Sequence, residues 1–196
     1  VSDGFVRLYQ HGWNADRAEQ RVASLDRSGL RLGHPATGRI TALNEDGQVE
    51  LHRDALLAEL AKADGDDGLL FQYWLHDAED EDTDVACIVA AEAPGLVSED
   101  FAVDGLGREE QDRVFRLVAA EFRDTEDDKV ALIVDRRGVT AEVDWLQVLL
   151  GTAKLDSLPT ALALPADVVE RHPELARVPF QAQDDFLVHD PEGLLG

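Results

Sequence analysis

Two apolar runs, Leu69 to Leu75 and Val85 to Ala91, flank a connection in which Asp77, Glu79, Asp80, Glu81, Asp82 and Asp84 crowd together. Both runs are rich in aromatic and β-branched residues and too short for a capped helix. They predict two central strands of one antiparallel hairpin, spanning about 69–91. On the first run Leu69, Phe71, Tyr73 and Leu75 share one face, and Leu70, Gln72, Trp74 and His76 share the other. Bulk on both faces predicts a strand covered on both sides.

The remaining periodicities extend the pattern. Phe5 to Tyr9 alternates as a first strand. Asn14 is placed to cap a helix over about 14–28, with Ala15, Ala18, Val22 and Leu25 on one face and Gly29 as its stop. Short strands on either side of Asn44-Glu45-Asp46-Gly47 predict a hairpin over about 39–52. A short helix is expected next, over about 54–62. Residues 93–107, with Pro94, Gly95, Gly105 and Gly107, predict a long connection. The strongest helix is expected over about 108–122, with Val114, Leu117 and Val118 in a stripe. Lys129 to Val134 reads as a buried strand. After Asp135 to Gly138, Val139, Ala141, Val143 and Trp145 alternate with Thr140, Glu142 and Asp144, predicting a third hairpin over about 129–145.

Hairpins between helices predict an α+β fold with an antiparallel sheet, with its core centred on Phe71, Leu117, Val118, Leu132 and Val143. From Gly151 the texture changes: Pro159, Pro165, Pro173, Pro179 and Pro191 interrupt the chain. The expected division is a single α+β domain over 1–150 and a Pro-rich C-terminal extension over 151–196 packed on it. One short helix is expected after Pro165, with Val168 and Val169 inward.

Charge changes the picture more than length does. The net charge is −23, from 41 acidic and 18 basic residues in 196. Direct binding to nucleic acid or an anionic membrane needs Lys and Arg to meet phosphates, so neither is expected as a partner. No apolar segment approaches the ~20 residues of a membrane span, and the first residues show no secretory pattern, so the expectation is a cytoplasmic protein. Asp outnumbers Glu and Arg far outnumbers Lys, as in a salt-adapted or GC-rich proteome. The acidic residues also cluster, at 64–67, 77–84 and 124–128, which favours a patch over uniform scatter.

Candidate chemistry is sparse. The six histidines show no i, i+4 pair, and the single Cys87 can contribute neither a disulfide nor a multi-cysteine zinc site. Its apolar setting predicts a buried small hydrophobe. The dipeptides His76-Asp77 and His189-Asp190 lack the further His and Asp residues of a metal phosphohydrolase. The run 77–84 has the charge of a calcium loop but no central Gly and no flanking helices. Gly105-Leu106-Gly107 lacks the Lys and spacing of a phosphate loop, and no serine has a nucleophile-elbow context. No catalytic residue, metal or cofactor is predicted.

The expected function is therefore a non-enzymatic, acidic protein–protein binder. In charge and size the chain is similar to immunity proteins and antitoxins that neutralise basic toxin domains, such as nucleases, and to acidic secretion chaperones; the resemblance covers no motif. The expected partner-binding residues are Asp77, Glu79, Asp80, Glu81, Asp82, Asp84 and Trp74, together with Glu142 and Asp144. A metal-dependent hydrolase with a scattered Asp and His site, and a salt-adapted domain with no special partner, are the other readings.

Overall fold

The computed structural model describes residues 4–44, 47–62, 68–75, 83–124 and 128–196. The fold is α+β: one 11-stranded antiparallel sheet with helices packed against it. The chain enters through β1 (Phe5–His11), α1 (Ala15–Ser28), β2 (Leu30–Arg31), the hairpin β3 (Ile40–Asn44) and β4 (Gly47–Leu51), and α2 (Arg53–Leu60). It continues through a meander of β5 (Leu69–Leu75), β6 (Thr83–Ala93) and β7 (Leu96–Ala102), then α3 (Arg108–Asp124) and β8 (Lys129–Asp135). The last part holds α4 (Trp145–Leu149), β9 (Ala161–Pro165), α5 (Ala166–Arg171), a 3₁₀ turn at Pro173–Arg177, β10 (Gln181–Gln183) and β11 (Phe186–His189).

Strand order across the sheet is β10-β11-β9-β8-β1-β7-β6-β5-β3-β4, with β2 pairing beside β3 on the end of β5. The first strand thus lies in the middle. β1 pairs with β7 (Arg7 opposite Asp100) and with β8 (Arg7 opposite Ile133). The segment after Gly151 contributes β9, β10 and β11 to this same sheet.

Local chemistry sets the helix ends. The Asn14 side chain accepts from Arg17 N at 3.0 Å, satisfying one free N–H of the first turn of α1. Gly29, at φ 120°, ends the helix in a conformation a side chain resists. Along α3, Val114, Phe115, Val118, Ala119 and Phe122 recur at helical spacing and are all buried.

Two cores lie on opposite faces of the sheet. The first spans β3 to β11 under α1, α2 and α3, and includes Val6, Leu8, Leu25, Phe71, Tyr73, Phe101, Phe115 and Leu132. The second is smaller. α4, α5 and the 3₁₀ turn cover Phe5, Tyr9, Ala131, Ile133, Leu162 and Leu164, with Trp145 fully buried among them. Each large apolar side chain buried there contributes roughly 1.5–3 kcal/mol relative to exposure.

Three expectations need correcting. Residues 93–107 are not one long connection, because 96–102 form β7, an interior strand. Its Glu99 and Asp100 look like loop residues in sequence but are each matched by an arginine from elsewhere. The hairpin over 129–145 does not form: residues 139–142 are turn, and Trp145 opens α4. The cause is side-chain capture of the backbone. Buried Asp135 accepts from Thr140 N and Oγ1, each at 2.7 Å, and Asp144 caps α4. Val143 accordingly packs on the second core, not the first. Third, β5 and β6 are adjacent interior strands, as expected, but the described helices cover only one of their faces.

Candidate functional site

The one-sided covering of β5 and β6 arises from strand parity. Phe71, Tyr73 and Leu75 of β5, with Val85, Cys87 and Val89 of β6, point into the first core. Their neighbours must point the other way. There the second layer ends: its members come from β1, β8 and β9, with only Leu96 from β7. Across β6, β5 and β3 no described helix lies on this face.

Cross-strand register arranges the exposed side in rows. One runs Gln48, Leu43, Leu70, Ile88, Asp100 and Arg7 across β4, β3, β5, β6, β7 and β1. Another runs Arg31, Trp74 and Asp84 across β2, β5 and β6. Ile88 is 41% exposed although it sits on an interior strand, and Leu43, Leu70 and Trp74 are half-buried. An interior strand ordinarily hides such a residue, and a contiguous apolar patch of this kind marks an interaction surface more often than a single exposed leucine does.

Polar groups frame the patch. Gln72 Nε2 donates to Asp84 Oδ2 at 3.0 Å. The His34 ring meets Trp74 edge-on, centroids 4.4 Å apart, which fixes the indole's orientation. Trp74 Nε1 is buried without a hydrogen-bond partner among the described residues. Arg7 Nε donates to Asp100 Oδ2 at 2.9 Å, and both side chains are about one fifth exposed. Burial pushes the Asp100 carboxyl above its usual range, and Arg7 offsets that only in part.

The structure treats the predicted binding residues unequally. Trp74 and Asp84 are direct register partners on the open face. Asp77, Glu79, Asp80, Glu81 and Asp82 lie outside the described residues, as does His76. Glu142 and Asp144 do not join the Trp74–Asp84 pair. They belong to the segment leading into α4; Glu142 is exposed, and Asp144 accepts from Gln147 N at 3.0 Å.

A buried polar network was not anticipated. Arg21 Nε pairs with Glu99 Oε2 at 3.0 Å, Gln10 Nε2 donates to the same oxygen at 2.9 Å, and Ser24 Oγ donates to Glu121 at 2.7 Å. Arg21 also reaches Glu121 at 3.4 Å. A sequence signal existed. Arg21 stands with Ala18, Val22 and Leu25 on the apolar stripe of α1, and Glu99 stands between Val97 and Phe101 on the inward parity of β7. Glu99 and Glu121 share the Arg21 guanidinium beside the first core, an arrangement that fixes α1 and α3 on the sheet rather than presenting reactive atoms.

Among the described residues no group of three or more His, Cys, Asp or Glu side chains is placed to hold a metal ion. Cys87 is fully buried, and burial pushes its thiol well above the usual value, so little thiolate forms. No described helix is long and apolar enough to cross a membrane. No protein-family model, no curated protein and no solved structure matches the chain.

Proposed function

We propose that this chain is a non-enzymatic binder of a basic protein, an immunity- or antitoxin-type inhibitor that occludes a toxin domain. The observation that supports it best is the half of the sheet that no described helix covers, where Leu43, Leu70, Trp74 and Ile88 form an apolar centre edged by Asp84 and by Glu50, which is paired with Arg39. A broad sheet surface suits a protein partner rather than a small molecule, since a stable interface takes about 800 Å² from each side. Trp74, Leu70 and Ile88 would supply the desolvated contacts that slow dissociation. The net charge of −23 would speed encounter with a cationic partner. Inhibition then needs no chemistry: the partner's own basic, substrate-binding surface is covered.

The reading is tested by affinity capture from the native cell with tagged wild type and with I88D. Ile88 is 41% exposed and faces Asp100 across the strands, so a melting curve first establishes that I88D is folded. Wild type should retain a basic protein, in stoichiometric amount, whose activity is blocked in the complex; I88D should lose it. Equal retention by both, or retention only of acidic proteins, removes the open face from the interface.

A further inference from the structure

In so acidic a chain, one concavity runs against the charge. A hollow of about 370 Å³ is lined by Arg108, Arg136, Arg137, Thr160, His189 and Glu192, with two prolines completing the wall. Four separated segments bring them together: the start of α3, the turn after β8, the residue before β9, and the end of β11 with the residues just beyond it. Glu192 is the one carboxylate in the lining. Such a volume lies within the range of small-ligand sites.

The hollow already holds an anionic group of its own. Glu192 Oε2 lies 3.2 Å from an Arg136 guanidinium nitrogen and 3.4 Å from one of Arg108. Arg136 is committed elsewhere too: it pairs with Asp112, reaches Gln111 Oε1 at 3.3 Å and lies 5.2 Å over the Phe115 ring. It is therefore a fixed floor of positive charge. The other two arginines are exposed. Among the described residues Arg108, which is 71% exposed, has only its long contact to Glu192, and Arg137 makes no ion pair.

The turn that carries Arg137 is rigid. Asp135 Oδ1 accepts from Arg137 N at 3.1 Å while its other oxygen holds Thr140. Thr160 Oγ1 accepts from Arg136 N at 3.0 Å, which leaves its hydroxyl proton to donate. Two exposed guanidinium forks and a hydroxyl thus line the same hollow. Guanidinium forks pair with carboxylate and phosphate alike; the added hydroxyl donor favours a phosphoryl group, which offers a third oxygen to accept it.

We propose that this hollow binds the phosphoryl group of a small phosphorylated molecule, with Glu192 as a built-in competitor for its arginines. Arg108 and Arg137 turn onto the phosphoryl oxygens, Thr160 donates to one of them, and Glu192 yields its hold on Arg108. This site is distinct from the open sheet face and does not depend on it.

The test is calorimetric titration of the full chain with sodium pyrophosphate, and with citrate at matched ionic strength, in metal-free buffer. Wild type should show saturable binding of pyrophosphate, several-fold tighter than of citrate. R108A/R137A should weaken it by about tenfold or more, since charge-assisted bonds are lost. E192Q should tighten it, because one negative charge leaves the hollow. Melting curves confirm that each variant is folded; both substituted arginines are exposed, so the double variant serves even if E192Q is destabilised. The proposal is overturned by no saturable heat in wild type and E192Q, by unchanged affinity in R108A/R137A, by failure of folded E192Q to bind tighter, or by equal binding of citrate.

Discussion

Arg21 and Glu99 form an ion pair inside the first core, 3.0 Å apart, with side-chain exposures of 7% and 2%. One sits on α1 and the other on β7, so the pair ties a helix to the interior of the sheet. Removing one partner leaves a buried charge uncompensated. R21L should therefore cost about 3–5 kcal/mol, whereas R21L/E99L, which removes both, should cost much less. Urea denaturation of wild type, R21L, E99L and R21L/E99L decides it; additive losses would mean the two groups do not act as a pair.

The same pair sets a pH dependence. Burial raises the Glu99 carboxyl above its ordinary value of 4.5, and Arg21 only partly opposes this. In the window between those two values the folded chain binds more proton than the unfolded one. Stability contributed by this group therefore falls as pH rises through 4.5 and levels off above the raised value. Asp100, also raised by burial, acts in the same sense. E99Q should flatten the decline in the weakly acidic range. Parallel pH profiles of the urea midpoint for wild type and E99Q would contradict this.

Glu174 behaves oppositely. The backbone N–H of Leu155 donates to its carboxylate at 3.0 Å, which, with further hydrogen bonds, lowers it to about 2. Its contribution is present above the ordinary carboxylate pKa and is lost as pH falls through about 2. E174Q should be less stable than wild type at neutral pH, and the gap should close at the acid end. A constant gap in melting temperature down to strong acid would show that the charge is not what matters there.

Phe71 is 1% exposed at the centre of the first core, between the sheet and the helices. F71A should cost about 3–5 kcal/mol. The expected readout is a large loss in the urea midpoint with little change in slope. A shift within measurement error would place Phe71 outside the core.

At the open face, W74A should mainly speed dissociation of the captured partner, because an aromatic anchor acts after docking. Replacing Glu79, Asp80, Glu81 and Asp82 with serine should mainly slow association and flatten its salt dependence. Surface plasmon resonance at several salt concentrations separates the two. If both variants change only dissociation, the acidic run lies within the desolvated contact rather than around it.

Much of this fold was legible because local periodicity and the buried pattern agreed. The alternation from Leu69 to Leu75, the stripe of α3 and the Asn14 cap each gave the right element. β7 was not legible, because Ser98-Glu99-Asp100 reads as loop until Arg21 and Arg7 are known to meet the two acids from elsewhere. Val139 to Trp145 alternates like a strand, yet Asp135 and Asp144 capture the backbone as a turn and a cap, and Val139 ends 46% exposed. Of the candidate site, Trp74 on its strand was readable from the alternation, whereas Asp84, expected in the acidic connection, lies within β6 opposite Trp74. The openness of their face was not readable. Leu70, Trp74 and Ile88 have the composition of a buried face, and only the reach of the second layer decides whether they are covered. The arginine hollow was equally hidden, since its members come from four distant stretches.

The central position of β1 has a consequence for synthesis. Residues 5–11 are made before every other strand of this sheet, but their two neighbours are β7 and β8, which lie far along the chain. The hydrogen bonds on the β8 side cannot form until Lys129 to Asp135 have left the ribosome, roughly 120 residues later and on the order of ten seconds after β1 itself. Until then an apolar strand waits with its edge unmet. β1 therefore keeps an open edge through most of the synthesis of this stretch, and the two halves of the sheet become one body only when that late strand arrives.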